Sequence, residues 1–467
     1  MRDMIVVLGA QARSGRDAAR QLRAANYYGR VLPAWADIET LAAEDASGIV
    51  LTEPLAEGER YEALLSLGLP TLLLGAAAET ALARFAPKDA ARRSDIATVR
   101  FSRCALFEGI PDGERKICGA AEYELPEGLA VIAEADGKPV ALADEEKKAY
   151  LFLSRIERND PDGMQILLNF AKLCGCNPWW TLEGFIDDTV RRIRDAVGEG
   201  NAVCAVSGGL DSTVAALLTR QALGSRAHCV FVDTGLMREG EAARAAAFFR
   251  EEMRMEFRCV EIADSLLYTL RGMETMDAKW QIAAREISQA IQSAAREIGA
   301  CAIINGSDAA DMLARGKDDG AKRPEGALPL FHPVGELFKD EVRRVGEKLG
   351  LGPETLNRQP FPSIGLAARI SGEVTPAKLK MLRTADALFA DELRAMNMEK
   401  RLSAAYAMLD TVGGKCAIVL RALQGHGDGA LAARLPSDLI ERTASRICEE
   451  IPQVRRVLYD FTPGDEG

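Results

Sequence analysis

Apolar positions along the chain fall into two series of short runs, separated by longer stretches of helical periodicity. Met4–Leu8, Gly48–Leu51, Thr71–Leu74, Leu129–Ala133 and Ala149–Leu153 form the first series. Between the earlier runs lie alanine- and arginine-rich stretches, Arg16–Ala25 and Ala56–Leu67. Continuous apolar runs alternating with helical segments predict buried strands linked by crossover helices, a parallel α/β layer. The turn-rich tract NDPDG at 159–163 punctuates its end.

The second series begins at Asn201 with NAVCAV and continues through AHCVFVD, FRCVEI and ACAIING. A helix is predicted before it, in TLEGFIDDTVRRIRDAVG, with Asp187 and Asp188 early and Arg191, Arg192 and Arg194 late. That charge order suits the helix dipole. Residues 264–298 read as a long helical region. After Pro360 the pattern changes to long helices with two strand-like runs, CAIVLRAL and RRVLYDF. The expected fold class is α/β: an α/β domain over 1–172, then a parallel-sheet domain over 173–357 and a smaller α+β domain over 358–467.

Bulk properties fit this partition. A chain of 467 residues is too long for one ordinary core. Hydrophobic residues at 48% and charged residues at 27% are those of a soluble globular protein. A formal net charge of −11 argues against a general nucleic-acid binder. The opening MRDMIVVLGAQARSGRD lacks the basic flank and long apolar core of a signal peptide. No run approaches the ~20 apolar residues of a membrane span, so a cytoplasmic location is expected. The 10 cysteines are scattered, several of them within apolar runs where a thiol packs as a small hydrophobe. Cys174 and Cys176 have neither a second pair nor a nearby histidine, and the spacing does not fit zinc.

The strongest chemical signal is AVSGGLDSTVAALL, Ala205–Leu218. An apolar strand runs into Ser207-Gly208-Gly209-Leu210-Asp211-Ser212-Thr213 and then into an apolar-periodic helix. Glycines allow close backbone approach, and free N–H groups at a helix start hold phosphate oxygens. Ser207, Ser212 and Thr213 add hydroxyl donors, and Asp211 offers the hard oxygen that Mg²⁺ takes beside a polyphosphate. No Gly-Lys-Ser/Thr follows the glycines, so this is not the loop of γ-phosphate chemistry. A plain glycine turn capping a helix is the competing reading.

These residues resemble the SGGxDS signature of the pyrophosphate-loop ATPases. Longer stretches resemble GMP synthases in the same order: CGCNPWWTLEGFIDDTVRRIRDAVG, CVFVDTGLMREGE, ELFKDEVRRVGEKLGL, RQPFPSIGLAARISGEVT, ADALFADELR and ARLPSDLIERTASRI. The resemblance implies that Ser207, Gly208, Gly209, Asp211, Ser212 and Thr213 hold the pyrophosphate end of ATP. It places Val232 and Asp233 near the adenosine and brings Lys339 to the phosphates. Asp311 is a looser match. The implied chemistry is attack of the C2 oxygen of xanthosine monophosphate on the α-phosphorus, then displacement of AMP by ammonia. Positioning and charge neutralisation dominate such a reaction. It also implies a homodimer through the segment from Arg358 onward.

The N-terminal region resembles a shrunken class I glutamine amidotransferase domain. In GLPTLLLGAAAE at 68–79 the nucleophile position is Gly75. The expected Gly-Gly-Pro reads Thr52-Glu53-Pro54, and Phe-His-Pro-Glu reads Phe152-Leu153-Ser154-Arg155. No histidine precedes His228, and a Cys–His–Glu triad needs imidazole. A glutaminase is therefore not expected.

The acceptor segment departs from the family's PFPGPGLAIR. It reads Pro360 through Arg369, keeping Arg369 for a phosphate. A charged loop, Arg315–Ala327, carries Lys317, Lys322 and Arg323 where the family has a histidine pair. The tail ends Phe461-Thr462-Pro463-Gly464-Asp465-Glu466-Gly467 instead of the family's Pro-Pro-Ala-Thr-Ile-Glu-Trp-Glu. Three readings compete: an ammonia-dependent GMP synthase, a paralogue with another acceptor, and a non-catalytic nucleotide-binding or scaffold protein.

Overall fold

The computed structural model describes residues 3–9, 13–38, 41, 46–55, 58–83, 94–118, 125, 128–157, 160–314, 326–358, 361–412, 415–425 and 430–462. The chain forms two compact units, 1–187 with 310–319, and 188–309 with 320–467.

The first unit is built on a nine-stranded sheet among the described residues. Its strands are β1 Met4–Leu8, β2 Tyr28–Leu32, β3 Gly48–Leu51, β4 Thr71–Leu74, β5 Ser94–Phe101, β6 Gly113–Cys118, β7 Leu129–Ala135, β8 Lys138–Asp144 and β9 Ala149–Phe152. The order is β2-β1-β3-β4-β9-β8-β7-β5-β6. Strands β1, β3 and β4 are buried along their whole length, which is why they read as unbroken apolar runs. They pair in parallel with β2 and β9. Leu129–Ala133, expected in a parallel layer, instead lies in the antiparallel meander β7-β8-β9. The cause is local: Asp136 and Gly137 both have positive φ (52° and 73°) and close a two-residue hairpin.

The second unit holds two sheets. Strands β10 Asn201–Ala205, β11 Ala227–Asp233, β12 Glu256–Glu261, β13 Ala300–Asn305 and β14 Leu330–Phe331 form a parallel sheet. Its order is β12-β11-β10-β13-β14. The chain leaves β10 toward β11 on one side and returns to β13 on the other. The carboxyl ends of β10 and β13 therefore flank a topological switch point, where open α/β sheets place their ligands. Helix Leu210–Leu223 follows β10 and is buried along most of its length.

Strands β15 Ala404–Val412, β16 Lys415–Gln424, β17 Leu431–Ala432 and β18 Val454–Asp460 make the other sheet. β16 pairs antiparallel with β15 and β17 and parallel with β18. Helices Pro376–Ala395 and Ser437–Glu450 supply Leu382, Phe389, Leu439 and Ile447 to the core beneath it. That core also contains Leu236, Leu266, Leu270 and Ala283 from the first half of the unit. The segment expected as a separate domain from 358 thus shares its buried interior with the parallel-sheet segment.

Candidate functional site

The loop after β10 lies at the switch point. Gly209 caps helix Leu210–Leu223 with extended backbone (φ −77°, ψ 162°), so the first-turn N–H groups of the helix head toward the crevice. Side chains within the loop hold its shape. Ser207 N–H donates to Ser212 Oγ (3.2 Å), Gly209 N–H donates to Ser207 Oγ (3.3 Å), and Ser212 and Thr213 hydroxyls donate to the Gly209 carbonyl (3.1 and 2.8 Å). The hydroxyls expected to meet phosphate therefore also brace the cradle.

Residue 306 comes from the neighbouring strand. Ala205 and Asn305 are in register, so the residues after β10 and β13 emerge side by side. A Cβ on Gly306 would lie 2.4 Å from both N and Cα of Ser212, so only glycine permits this approach. Asn305 Oδ1 accepts from the Ser307 N–H (3.1 Å) and turns the chain away.

Asp211 carries the clearest electrostatic signal. Its Oδ2 accepts a hydrogen bond from Lys339 Nζ at the start of helix Lys339–Lys348. Its Oδ1 is buried with no hydrogen-bond partner. An orphaned carboxylate oxygen is costly unless a cation or donor reaches it. A hard divalent cation suits that oxygen, so the residues fit Mg²⁺. Among the described residues no group of three His, Cys, Asp or Glu side chains forms a ready-made metal cage. A cation here would take Asp211 and oxygens supplied by its ligand.

Val232 and Asp233 end β11, and Asp233 Oδ1 accepts from the Gly235 N–H (2.9 Å). Asp311 is exposed on the short helix Ala309–Ala314 and is grouped with the first unit. Lys317, Lys322 and Arg323 lie outside the described residues.

Arg369 is placed differently from a solvent-facing phosphate contact. It is 6% exposed, with its guanidinium against the rings of Tyr406 (4.3 Å) and Phe361 (5.1 Å). It donates to Asp386 Oδ1 (3.3 Å), while Asp386 Oδ2 accepts from Arg238 Nε (2.8 Å). Burial pushes the Arg369 guanidinium down to about 10, and the Asp386 carboxylate opposes the shift. Arg383, on the same helix as Asp386, donates to the carbonyls of Met237 (2.9 Å) and Gly235. Arg238 and Asp386 lie in the segments DTGLMREGE and ADALFADELR, but no local pattern marks them or Arg383 as partners.

In the first unit, Gly75 sits between β4 and helix Ala76–Leu82, with φ 53° and ψ −118°. Its N–H donates to the Phe152 carbonyl (2.9 Å), which brings residues 152–155 alongside. A Cβ at Gly75 would lie 2.7 Å from Cγ of Arg155. The strand-to-helix turn is sharp, and the space that a side chain at position 75 would take is occupied by Arg155.

A parallel sheet with a serine- and glycine-braced loop at its switch point defines a phosphate-loop ATP pyrophosphatase. Residues 180–313, which contain that loop, match the family described as NAD synthase. Over greater length the chain is similar to proteins described as GMP synthase [glutamine-hydrolyzing]. The one from Symbiobacterium thermophilum is 32% identical over 510 residues, covering 100% of this chain and 98% of the relative. Those from Clostridium tetani (30% over 507 residues, 99% and 98% covered) and Geobacillus kaustophilus (32% over 500 residues, 98% and 98% covered) agree. The chain belongs to the GMP synthase family and is an ATP-dependent ligase.

Proposed function

We propose that the chain uses Mg-ATP to adenylate an oxygen of a small-molecule nucleotide, xanthosine monophosphate by family resemblance, for amination by free ammonia. The observation that carries this reading is the braced 207–213 loop with Asp211 Oδ1 unpartnered beside Lys339. Ser207, Gly208, Gly209, Ser212 and Thr213 hold the pyrophosphate end of ATP, with Val232 and Asp233 toward the adenosine. Lys339 neutralises charge on the departing pyrophosphate, moving from Asp211 as the phosphates arrive. When bound, Mg²⁺ held by Asp211 supplies further charge neutralisation on those oxygens. The acceptor oxygen bonds to the α-phosphorus, the α–β bridging P–O bond breaks, and pyrophosphate leaves with both electrons. Ammonia then adds at the activated carbon, and AMP departs.

Glutamine is not the nitrogen source in this reading. Gly75 stands at the turn, Arg155 fills the space above it, and no histidine precedes His228. The N-terminal unit keeps a structural or regulatory role. The acceptor's phosphate is met by Lys317, Lys322 and Arg323, and Asp311 is a further candidate for binding the acceptor. Arg369 contributes only on release from Asp386. The protein acts as a cytoplasmic homodimer joined through its C-terminal segment. Purified protein given Mg-ATP, ammonium and xanthosine monophosphate should release pyrophosphate and form GMP. Pyrophosphate release with some other nucleotide, and none with xanthosine monophosphate, would replace the named acceptor. The commitment of Arg369 to Asp386 favours that second reading, a paralogue with a different acceptor.

A further inference from the structure

Arg358 precedes the altered acceptor segment, yet its side chain reaches back to the phosphate loop. Its Nη1 donates to the Gly208 carbonyl (2.6 Å), and its Nη2 is ion-paired with the Glu241 carboxylate. Gly208 lies in the loop after β10, and Glu241 opens the helix Glu241–Ala247 after β11. One guanidinium therefore bridges the loops that follow two adjacent strands. The Gly208 carbonyl matters because this residue has positive φ (76°) and no side chain to anchor it. Rotation of the 208–209 peptide would carry away the Gly209 N–H, which now donates to Ser207 Oγ. It would also misdirect the first-turn N–H groups behind it. A planar fork with two fixed donor directions holds both partners in a set geometry, which the rotatable donors of an ammonium do not fix.

We propose that Arg358 is a positioning residue: by bridging Gly208 and Glu241 it holds the loop in its pyrophosphate-binding shape and ties that shape to the acceptor segment. The inference rests on the reading of 207–213 as a pyrophosphate cradle. It predicts selectivity, because only ligands that fill the cradle should feel the loss.

Titration calorimetry with Mg-ATP, Mg-pyrophosphate and AMP tests it on wild type, R358A, R358K and E241Q. R358A should bind Mg-ATP and Mg-pyrophosphate roughly tenfold more weakly, the loss of about one charge-assisted hydrogen bond, with AMP affinity and melting temperature unchanged. R358K keeps the charge but not the fork and should also bind both more weakly. E241Q should weaken the same two ligands, and R358A/E241Q should be no worse than R358A alone. Equal Mg-ATP affinity in R358A and wild type overturns the proposal, as does uniform weakening of all three ligands. Wild-type affinity in R358K would reduce the role to bare charge and overturn it too. If wild type binds neither Mg-ATP nor pyrophosphate, the cradle reading falls and this proposal with it. If wild type binds both and D211A does not, the cradle stands and the Arg358 variants decide alone.

Discussion

Asp211 has one carboxylate oxygen occupied by Lys339 and the other buried without a hydrogen-bond partner, where the proposed Mg²⁺ would bind. Asp211→Ala removes both and should weaken Mg-ATP binding at least tenfold by calorimetry, a loss on the scale of one charge-assisted contact. Equal affinity in the variant would remove the loop from the site. Gly306→Ala tests the crevice wall. Its methyl group would collide with backbone that has no freedom to retreat, at a cost of about 1–3 kcal/mol of stability. Urea unfolding measures that cost, and nucleotide binding should fall with it. Asp386 shows a third kind of dependence. It is buried and holds Arg238, Arg369 and the Ala407 N–H (2.9 Å). Asp386→Ala leaves Arg369 charged inside the protein, and about 3–5 kcal/mol should be lost in denaturant melts.

At the level of elements, the turn from β4 into helix Ala76–Leu82 sets Gly75 against Arg155, and the proposed function assigns it no glutamine hydrolysis. Placing a thiol there should therefore not confer hydrolysis. Gly75→Cys places a side chain against Arg155 and still lacks an imidazole partner. Neither wild type nor Gly75→Cys should release glutamate from glutamine above a buffer control, and release by wild type would refute the reading. β1, β3 and β4 are legible as unbroken apolar runs because they are buried along their whole length. β12 and β18 are legible as FRCVEI and RRVLYDF although both carry exposed positions. β5, β6 and β15 escaped notice because charged or small residues interrupt their apolar positions, as in GERKIC. Asp136-Gly137 is the local turn signal for the β7-β8 hairpin. The site divides the same way. Ser207–Thr213 is one contiguous string and could be read. Arg358, Glu241 and Gly306 reach it from 33 to 150 residues away in sequence, through strand order that no local pattern encodes.

Across the whole molecule, the proposed homodimer would form on the outer face of the last sheet. Met408, Val419 and Leu458 stand in one cross-strand row. Leu458 in that row is 41% exposed. A second copy is the occupant we propose, since symmetric pairs are the commonest soluble assembly. Light scattering should give a dimer at micromolar concentration, and Leu458→Glu should yield monomer. A wild-type monomer would count against it. The core that joins Leu236, Leu266, Leu270 and Ala283 to Phe389, Leu420 and Ile447 has another consequence, for heat. A fragment cut at 357 would leave the first four side chains facing water, so neither part keeps its own reservoir of stability. Calorimetry should record the catalytic segment and its C-terminal neighbour in one endotherm, and a variant weakened in the far sheet should inactivate the enzyme at its own lowered melting point.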